Sequence, residues 1–201
     1  MTEEEVKKIL ITFLSKHGKY ASGSEFYHLA CEHKWKWYSG AFKNCFVIPD
    51  LPFVVKFGQD GKTTEATREV DIYNLACLPK YNCSALLPKT EVWFKAYGFT
   101  FVKQEKVTCT LNEWEHRRYG EEFRFRIKFT EKNQENLKKL IQDLRWQRMD
   151  GYFAQYLIYV HGLKTVRGFC KLVEKLHLND FHGSNVGFAG KRPVIIDFAG
   201  A

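Results

Sequence analysis

The feature that most constrains the fold is the way two hydrophobic periods are segregated along the chain. Apolar residues recur with helical spacing over residues 2–16, behind a capping-box pattern. Between about residues 33 and 107 the pattern alternates as in β-strands, with one helical segment from about residue 63. Helical spacing returns over residues 133–149 and 152–176, the second stretch being interrupted around Gly162 or Gly168, and two short strands follow. This order predicts an α+β protein with a strand-rich lobe before a helical one.

The same pattern predicts the domain boundaries. We expect a helical N-terminal extension over residues 1–32 and a strand-rich lobe over residues 33–107. A smaller helical lobe follows over residues 108–201 and contains a basic insert at about residues 112–150. Within that insert, strict alternation over residues 123–129 predicts a strand with one basic face.

Composition excludes several classes of protein. With 45% hydrophobic residues in 201, the chain can bury a sizeable core, which excludes wholesale disorder. No apolar run reaches the roughly 18 residues that a membrane span needs, and the acidic N-terminus is unlike a secretory signal. The six cysteines form no C-x-x-C pair and are expected to be reduced thiols. We therefore expect a soluble, cytoplasmic protein that does not enter a membrane.

The net charge of +8 is compatible with anionic partners. Basic residues interleave with aromatic ones over residues 116–148, a pattern that can bind nucleic acid or an acidic protein. Five acidic residues dilute the charge of this segment, so a solvated surface is favoured over nucleic-acid binding.

The last thirty residues contain the strongest chemical pattern. Asp180 and Asn185 lie five positions apart in a loop before a strand, and Asp197 ends the following apolar strand. Phosphoryl transfer from ATP needs one carboxylate to accept the proton of the acceptor hydroxyl. It also needs carboxylate and amide oxygens to hold Mg²⁺ on the phosphates. This set favours an ATP-dependent phosphotransferase over a set of turn residues.

The strand-rich half contains a second pattern that fits the same chemistry. Lys56 interrupts an apolar strand over residues 53–58, and an acidic helix follows it. A lysine in this position can hold nucleotide phosphates if a helix carboxylate orients it. Glu69 is the predicted partner, and Glu65, one turn earlier on the same helix face, is the alternative.

At this point the chain resembles a known family. Residues 178–188 (LNDFHGSNVGF) and 193–200 (PVIIDFAG) resemble the catalytic end of bacteriophage protein-kinase-like proteins. More distantly, they are similar to aminoglycoside phosphotransferases and eukaryotic-type kinases. The strand with Lys56, the helix with Glu69 and the strand over residues 101–107 follow in the expected order, so the resemblance spans roughly residues 36–201.

The resemblance implies a protein-kinase-like two-lobed fold and a role for each residue of the two patterns. Asp180 would be the catalytic base, Asn185 and Asp197 the Mg²⁺ ligands, and Lys56, positioned by Glu69, the contact to the phosphates of ATP. The remaining contacts would go to the nucleotide: Gly40 in the loop over the phosphates, the backbone of Glu105 and Val107 on the adenine edge, and Gln104 behind it.

The sequence also departs from the family pattern. One glycine, Gly40, stands where kinases usually have two or three, and Ala199 replaces the glycine of the D-F-G triplet. Leu178 and Asn179 stand where His-Arg usually precedes the catalytic Asp, so sensing of an activation-loop phosphate is not expected. The sequence continues for only four residues after Asp197, so the helical lobe is expected to be truncated and to lack an activation segment.

These departures leave the acceptor open. The leading expectation is a serine/threonine protein kinase acting on proteins, with host proteins as targets if the chain is phage-encoded. A small-molecule phosphotransferase of the aminoglycoside type is the enzymatic alternative, because the peptide-docking helices are missing. A nucleotide-binding pseudokinase that acts by protein–protein interaction is the non-enzymatic one. Retention of Lys56, Asp180, Asn185 and Asp197 together argues against it.

Overall fold

The protein has both helices and strands, arranged in two compact units. The computed structural model describes residues 1–39, 44–60, 65–109, 138–140, 142–143, 149, 151–178, 181 and 185–198. The mixture of helices with a five-stranded antiparallel sheet confirms the predicted α+β class. Unit 1 comprises Met1–Asp71 and Lys89–Lys106, and unit 2 comprises Ile72–Pro88 and Val107–Ala201.

Two capped helices begin unit 1. Helix α1 (Glu3–His17) has Thr2 as its N-cap, and helix α2 (Gly23–Glu32) has Ser22. In both, the N-cap hydroxyl accepts a bond from the backbone N–H of the glutamate three residues on, whose carboxylate accepts the N-cap N–H in return. Such boxes pair backbone donors that a helix start leaves open. The box predicted at the start of α1 is confirmed.

The sheet of unit 1 places strands that are distant in sequence side by side. It has the order β1-β2-β3-β5-β4, and each neighbouring pair is antiparallel. Helix α3 (Glu65–Cys77) lies between β3 and β4 in the sequence. Strands β2, β3 and β5 each have a neighbour on both sides, and β3 is the middle strand of the five. The strand bounds are Lys36–Ser39 (β1), Asn44–Val47 (β2), Phe53–Gln59 (β3), Thr90–Ala96 (β4) and Phe99–Glu105 (β5).

One face of this sheet forms an aromatic core with α1 and α2. Phe57 of β3 lies 4.4 Å from Phe26 of α2 and 5.2 Å from both Phe46 and Phe101, measured between ring centroids. Val55, two residues before Phe57, is fully buried in the same cluster. Since alternate residues of a strand point to opposite faces, the residue between them points away from the aromatic core. That residue is Lys56.

Unit 2 combines a long helix with a small sheet. Helix α4 (Gly151–Leu176) leaves helical geometry at Gly162 (φ 80°, ψ 155°), one of the two interruption points that the sequence predicted. Strands β6 (Thr108–Cys109), β7 (Val186–Ala189) and β8 (Arg192–Ile195) pair in that order, and β7 and β8 form an antiparallel hairpin. The two strands of the hairpin were predicted, whereas β6 was not.

Helix α4 packs closely against the segment that precedes β4. A Cβ atom built on Gly168 would lie 1.8 Å from the backbone oxygen of Tyr81, a distance that no side chain can occupy. Tyr81 follows α3 and belongs to the same buried cluster as Phe169 and Leu172 of α4. Only glycine lets the two backbones approach this closely.

The observed division differs from the predicted domains. The helices over residues 1–32 share a buried cluster with the sheet, because the apolar faces of α1 and α2 cover the aromatic side of the strands. Residues 72–88 belong to unit 2, because the end of α3 and the short 3-10 turn Ser84–Leu86 contribute to its core. The predicted strand over residues 123–129 and most of the predicted helix over residues 133–149 lie outside the described residues.

Cysteine chemistry matches the sequence-based expectation. The five cysteines whose side chains are described (Cys31, Cys45, Cys77, Cys83 and Cys170) are free thiols. Burial raises the pKa of Cys83 and of Cys170 to about 12, so both stay protonated and unreactive at neutral pH.

Among the helices that the structure describes, none is long and apolar enough to cross a membrane.

Candidate functional site

The side chains of Lys56 and Glu69 form a buried ion pair in unit 1. The Lys56 Nζ donates to both carboxylate oxygens of Glu69, at 2.8 and 2.7 Å. Lys56 is 4% exposed and Glu69 is fully buried. The predicted pairing of these two residues is therefore confirmed as a contact, while the side chain of the alternative, Glu65, lies outside the described residues.

The sequence explains why α3 presents Glu69 to this strand. Ala66, Glu69 and Val70 are spaced three and four residues apart and therefore share one helix face. Ala66 and Val70 form a buried cluster with Val102, the β5 residue directly opposite Lys56 in the sheet. Apolar contacts on either side of Glu69 thus fix α3 over the sheet face from which Lys56 projects.

A third residue completes the network from β5. The Nε2 atom of Gln104 donates to the Oε2 of Glu69 at 3.0 Å and to the Oγ1 of Thr90 at 3.0 Å. Gln104 is two residues from Val102 and so points to the same face of the sheet. Thr90 lies directly opposite Gln104 on β4. Gln104 was expected behind an adenine edge, and the part played by Thr90 was not predicted.

The burial of these four polar side chains matters energetically. Gln104 is 3% exposed and Thr90 is 1% exposed, so these two side chains are almost as deeply buried as the ion pair. Removing an ammonium and a carboxylate from water costs several kcal/mol per ion, which a close pair with further hydrogen bonds roughly offsets. Apolar residues of similar volume often stabilise such a buried position about as well.

Strand β5 ends at Glu105, where the chain leaves the sheet. The backbone N–H of Glu105 donates to the carbonyl of Lys89 at 2.8 Å, and its carboxylate accepts the N–H of Lys89 at 3.1 Å. The sheet therefore uses the N–H of Glu105, a residue whose backbone the family resemblance assigns to the adenine edge. Val107, the other expected backbone contact, lies in unit 2 between β5 and β6.

Lys106 anchors the chain just after β5. Its backbone N–H donates to Pro52 at 3.2 Å, and its Nζ lies within hydrogen-bonding distance of three carbonyl oxygens in the turn between β2 and β3. These belong to Ile48, Pro49 and Leu51, at 3.3, 3.4 and 3.2 Å. The position of the segment that follows Gln104 is thereby tied to the β2–β3 turn.

Asn185 and Asp197 lie at the open end of the β7–β8 hairpin in unit 2. Val186 pairs with Ile195, and one step further the N–H of Ile196 donates to the Asn185 carbonyl at 2.8 Å. Asn185 is 6% exposed, and Asp197 is partly exposed with a left-handed backbone, φ 54°. Strand pairing therefore brings to one end of the hairpin two residues that are twelve positions apart in the sequence.

Two contacts hold this hairpin within unit 2. The Nε2 of His161 donates to the carbonyl oxygen of Pro193 at 2.8 Å, and burial lowers the pKa of His161, so the ring is neutral. On the other side, Nη1 of Arg192 donates to the carbonyl oxygens of Ala85 and Leu87 at 2.6 and 3.0 Å. The turn end of the hairpin, where β8 begins, is thus fixed relative to α4 and to the turn after α3.

The loop that precedes Asn185 is anchored in the core. Leu178 is 1% exposed, and Phe181 is fully buried with its ring 5.4 Å from that of Phe169. The predicted base Asp180 lies between these two anchors in sequence, but it is outside the described residues, as is Gly40. Phe198, directly after Asp197, is also buried in this core.

A cavity elsewhere in unit 1 lies apart from the candidate site residues described above. It has a volume of about 510 Å³ and lies between α1 and α2, with Ile9, Phe13 and Leu29 among the residues that line it. None of the predicted site residues lines this cavity. The described candidate residues therefore fall into two separate groups, the network of unit 1 and the open end of the hairpin in unit 2.

Comparison with known proteins places the chain in no family. No family model matches it, and neither does any curated protein or solved structure.

Proposed function

We propose that the protein is an ATP- and Mg²⁺-dependent phosphotransferase with a protein-kinase-like two-lobed fold, and that it phosphorylates serine or threonine hydroxyls in proteins. The observation that carries the proposal is the buried pair of Lys56 and Glu69. Asn185 and Asp197, at one end of the β7–β8 hairpin, are the second support.

The free energy that is needed to bury two charged groups is the reason to assign the ion pair a function. A sheet and a helix can pack with apolar residues alone, and buried ion pairs are weak sources of stability. An ammonium fixed by a carboxylate is, however, well suited to bind the oxygens of a nucleotide's α- and β-phosphates. In this proposal Lys56 binds the phosphates, and Glu69 keeps its Nζ in place.

The donor set of unit 2 fits Mg²⁺. This cation takes oxygen ligands, and Asn185 and Asp197 provide an amide oxygen and a carboxylate from adjacent strand ends. When bound, the metal neutralises negative charge on the phosphates. The residues would hold it from a rigid hairpin, which His161 and Arg192 fix within unit 2.

Asp180 would carry out the proton transfer. The acceptor hydroxyl oxygen attacks the γ-phosphorus, the bond to the bridging oxygen breaks, and ADP leaves with the electrons of that bond. The carboxylate of Asp180 orients the hydroxyl and takes its proton. Gly40 would cover the phosphates, and the backbone of Glu105 and Val107 would bind the adenine edge in front of Gln104.

The test is transfer of labelled γ-phosphate from ATP with Mg²⁺ into a bacterial lysate. We expect labelled protein bands with the wild type and none with Asp180→Ala. Asp71→Ala is the matched control, because Asp71 is an exposed carboxylate on α3 outside the proposed site. It is expected to label like the wild type.

The other outcomes separate the alternatives. Labelling of small molecules but of no protein would replace the protein kinase with a small-molecule phosphotransferase. Binding of ATP without any transfer would leave a nucleotide-binding protein that acts through a partner. Absence of both binding and transfer would refute the proposal.

A further inference from the structure

The amide of Gln104 connects three elements of unit 1. Its Nε2 donates to Glu69 on α3 and to Thr90 on β4, while Gln104 itself lies on β5. Both bonds are 3.0 Å long, and all three residues are at least 97% buried. The network therefore bridges the helix and two strands through a single side chain.

The chemistry of the partners fixes the orientation of this amide. An ionised carboxylate only accepts hydrogen bonds, so the group facing Glu69 must be the NH₂ of Gln104 rather than its oxygen. The two hydrogens of this NH₂ are then donated to Glu69 and to Thr90. Flipping the amide would place its oxygen against the carboxylate and lose a charge-assisted bond in a buried site.

The geometry also shows what Gln104 adds to the ion pair. The bonds from Lys56 reach both oxygens of Glu69, and the bond from Gln104 reaches Oε2 from a different element. The carboxylate is thus held by donors on β3 and on β5, which restricts its rotation. Since Thr90 accepts from the same NH₂, it restricts the rotation of Gln104 in turn.

We propose that Gln104, supported by Thr90, is a positioning residue that fixes the Glu69 carboxylate and with it the Lys56 ammonium. This inference rests on the proposed function of Lys56, but the contact on which it depends can be tested without nucleotide.

Two substitutions of Gln104 and one control test the proposal. Gln104→Leu keeps the approximate volume and removes both donors, while Gln104→Glu keeps the shape and replaces the NH₂ with an ionisable group. Gln59→Leu is the control, because Gln59 is also in the central strands but donates to the exposed backbone of Lys19 at 3.0 Å. The affinity for ATP with Mg²⁺ is measured by calorimetry, and the KM for ATP and kcat are measured in the transfer reaction.

Gln104→Leu is expected to weaken ATP binding about tenfold, because a buried bond to a charged group is lost. The KM for ATP should rise in parallel, and Gln59→Leu should behave like the wild type. If wild type binds ATP and Gln104→Leu binds it within about twofold, the positioning role is wrong.

Gln104→Glu provides a readout that does not need nucleotide. Two carboxyls in contact cannot both ionise easily. In the folded state the pKa of the pair is therefore raised above the usual value of about 4.3. The folded state then binds the extra proton more tightly than the unfolded one. The variant's free energy of unfolding should therefore fall, relative to wild type, as the pH rises from about 4.3 through the raised pKa.

This measurement separates failure of the inference from failure of the proposed function. If wild type binds no ATP, the proposed function fails, and urea unfolding of Gln104→Glu across pH still shows whether residue 104 faces Glu69. If that variant has the pH dependence of the wild type, the contact is not formed and the inference fails. If the contact is present and ATP binding depends on it, both stand.

Discussion

The two groups of candidate site residues are built into the fold in different ways. In unit 1, Lys56, Glu69 and Gln104 lie on central strands and a helix, are almost fully buried, and bind one another. In unit 2, Asn185 and Asp197 lie just beyond the ends of a two-stranded hairpin, and Asp197 is partly exposed. Substitutions in unit 1 should therefore alter stability and chemistry together. At Asp197, in contrast, a substitution can abolish the chemistry while leaving stability almost unchanged.

The largest effect is expected from removal of the cation of unit 1. Lys56→Met leaves the Glu69 carboxylate buried without its counter-charge, which should lower the free energy of unfolding by about 3–5 kcal/mol. Urea unfolding at neutral pH measures this loss.

The double variant Lys56→Met/Glu69→Leu is its control. Replacing both charges with apolar side chains removes the unpaired carboxylate and should restore most of the lost stability. A Lys56→Met protein as stable as wild type would mean that the buried pair is not formed.

A substitution in the packed part of unit 2 should come next in size. Gly168→Ala forces a Cβ to within 1.8 Å of the Tyr81 backbone oxygen, so α4 must move, at a cost of about 3 kcal/mol. Gly23→Ala on α2 is the matched control, since its Cβ meets no atom within 4 Å. Thermal unfolding should show a lower midpoint for Gly168→Ala alone; equal midpoints would contradict this packing.

At Asp197 the backbone conformation should decide stability. Its φ of 54° is tolerated by Asn but is unfavourable for a β-branched residue. Asp197→Asn should stay within about 0.5 kcal/mol of wild type, whereas Asp197→Val should lose about 1–2 kcal/mol. Under the proposed function neither variant transfers phosphate, so activity in Asp197→Asn would count against a metal-binding role.

The smallest effect is expected at the surface of unit 1. Hydrogen bonds from Ser22 and then from His17 lower the pKa of Glu25 to about 2 from its ordinary value of 4.5. The unfolded chain therefore binds this proton more tightly, and the stabilisation is present above pH 4.5 and lost as the pH falls towards 2. Glu25→Gln should remove that part of the acid dependence in urea unfolding. An unchanged acid profile would show that the contacts do not form in solution.

The sequence predicts those parts of the fold that depend on local periodicity. The helices α1, α2 and α3 and the strands of the β7–β8 hairpin follow from apolar spacing and cap residues, and the glycine at position 162 indicates the interruption of α4. Strand β6 has only two residues and therefore shows no pattern of its own. Which unit residues 1–32 and 72–88 join depends on which faces pack together, and local periodicity does not show that.

The contribution of Thr90 shows what local patterns leave out. Strands β4 and β5 pair in one register from Ala96 to Phe94, and a bulge at Trp93 then shifts it by one residue. Without that bulge, Glu91 would lie opposite Gln104, and Thr90 would face the other side. A bulge has no reliable signature in a single sequence, so the last member of the network emerges only from the sheet.

The way the two units are interleaved in the sequence sets the order in which they can fold during synthesis. Unit 1 has all of its strands once residue 106 has been made, so its core and its buried ion pair can form early. Unit 2 contains residues 72–88, whose contacts with Arg192 join positions 105 and 107 residues apart. Domains fold as their segments become available during synthesis. Residues 72–88 therefore cannot complete these contacts until Arg192 has been made. The hairpin with Asn185 and Asp197 thus forms after the ion pair of unit 1, so under the proposed function phosphate transfer has to wait for the hairpin.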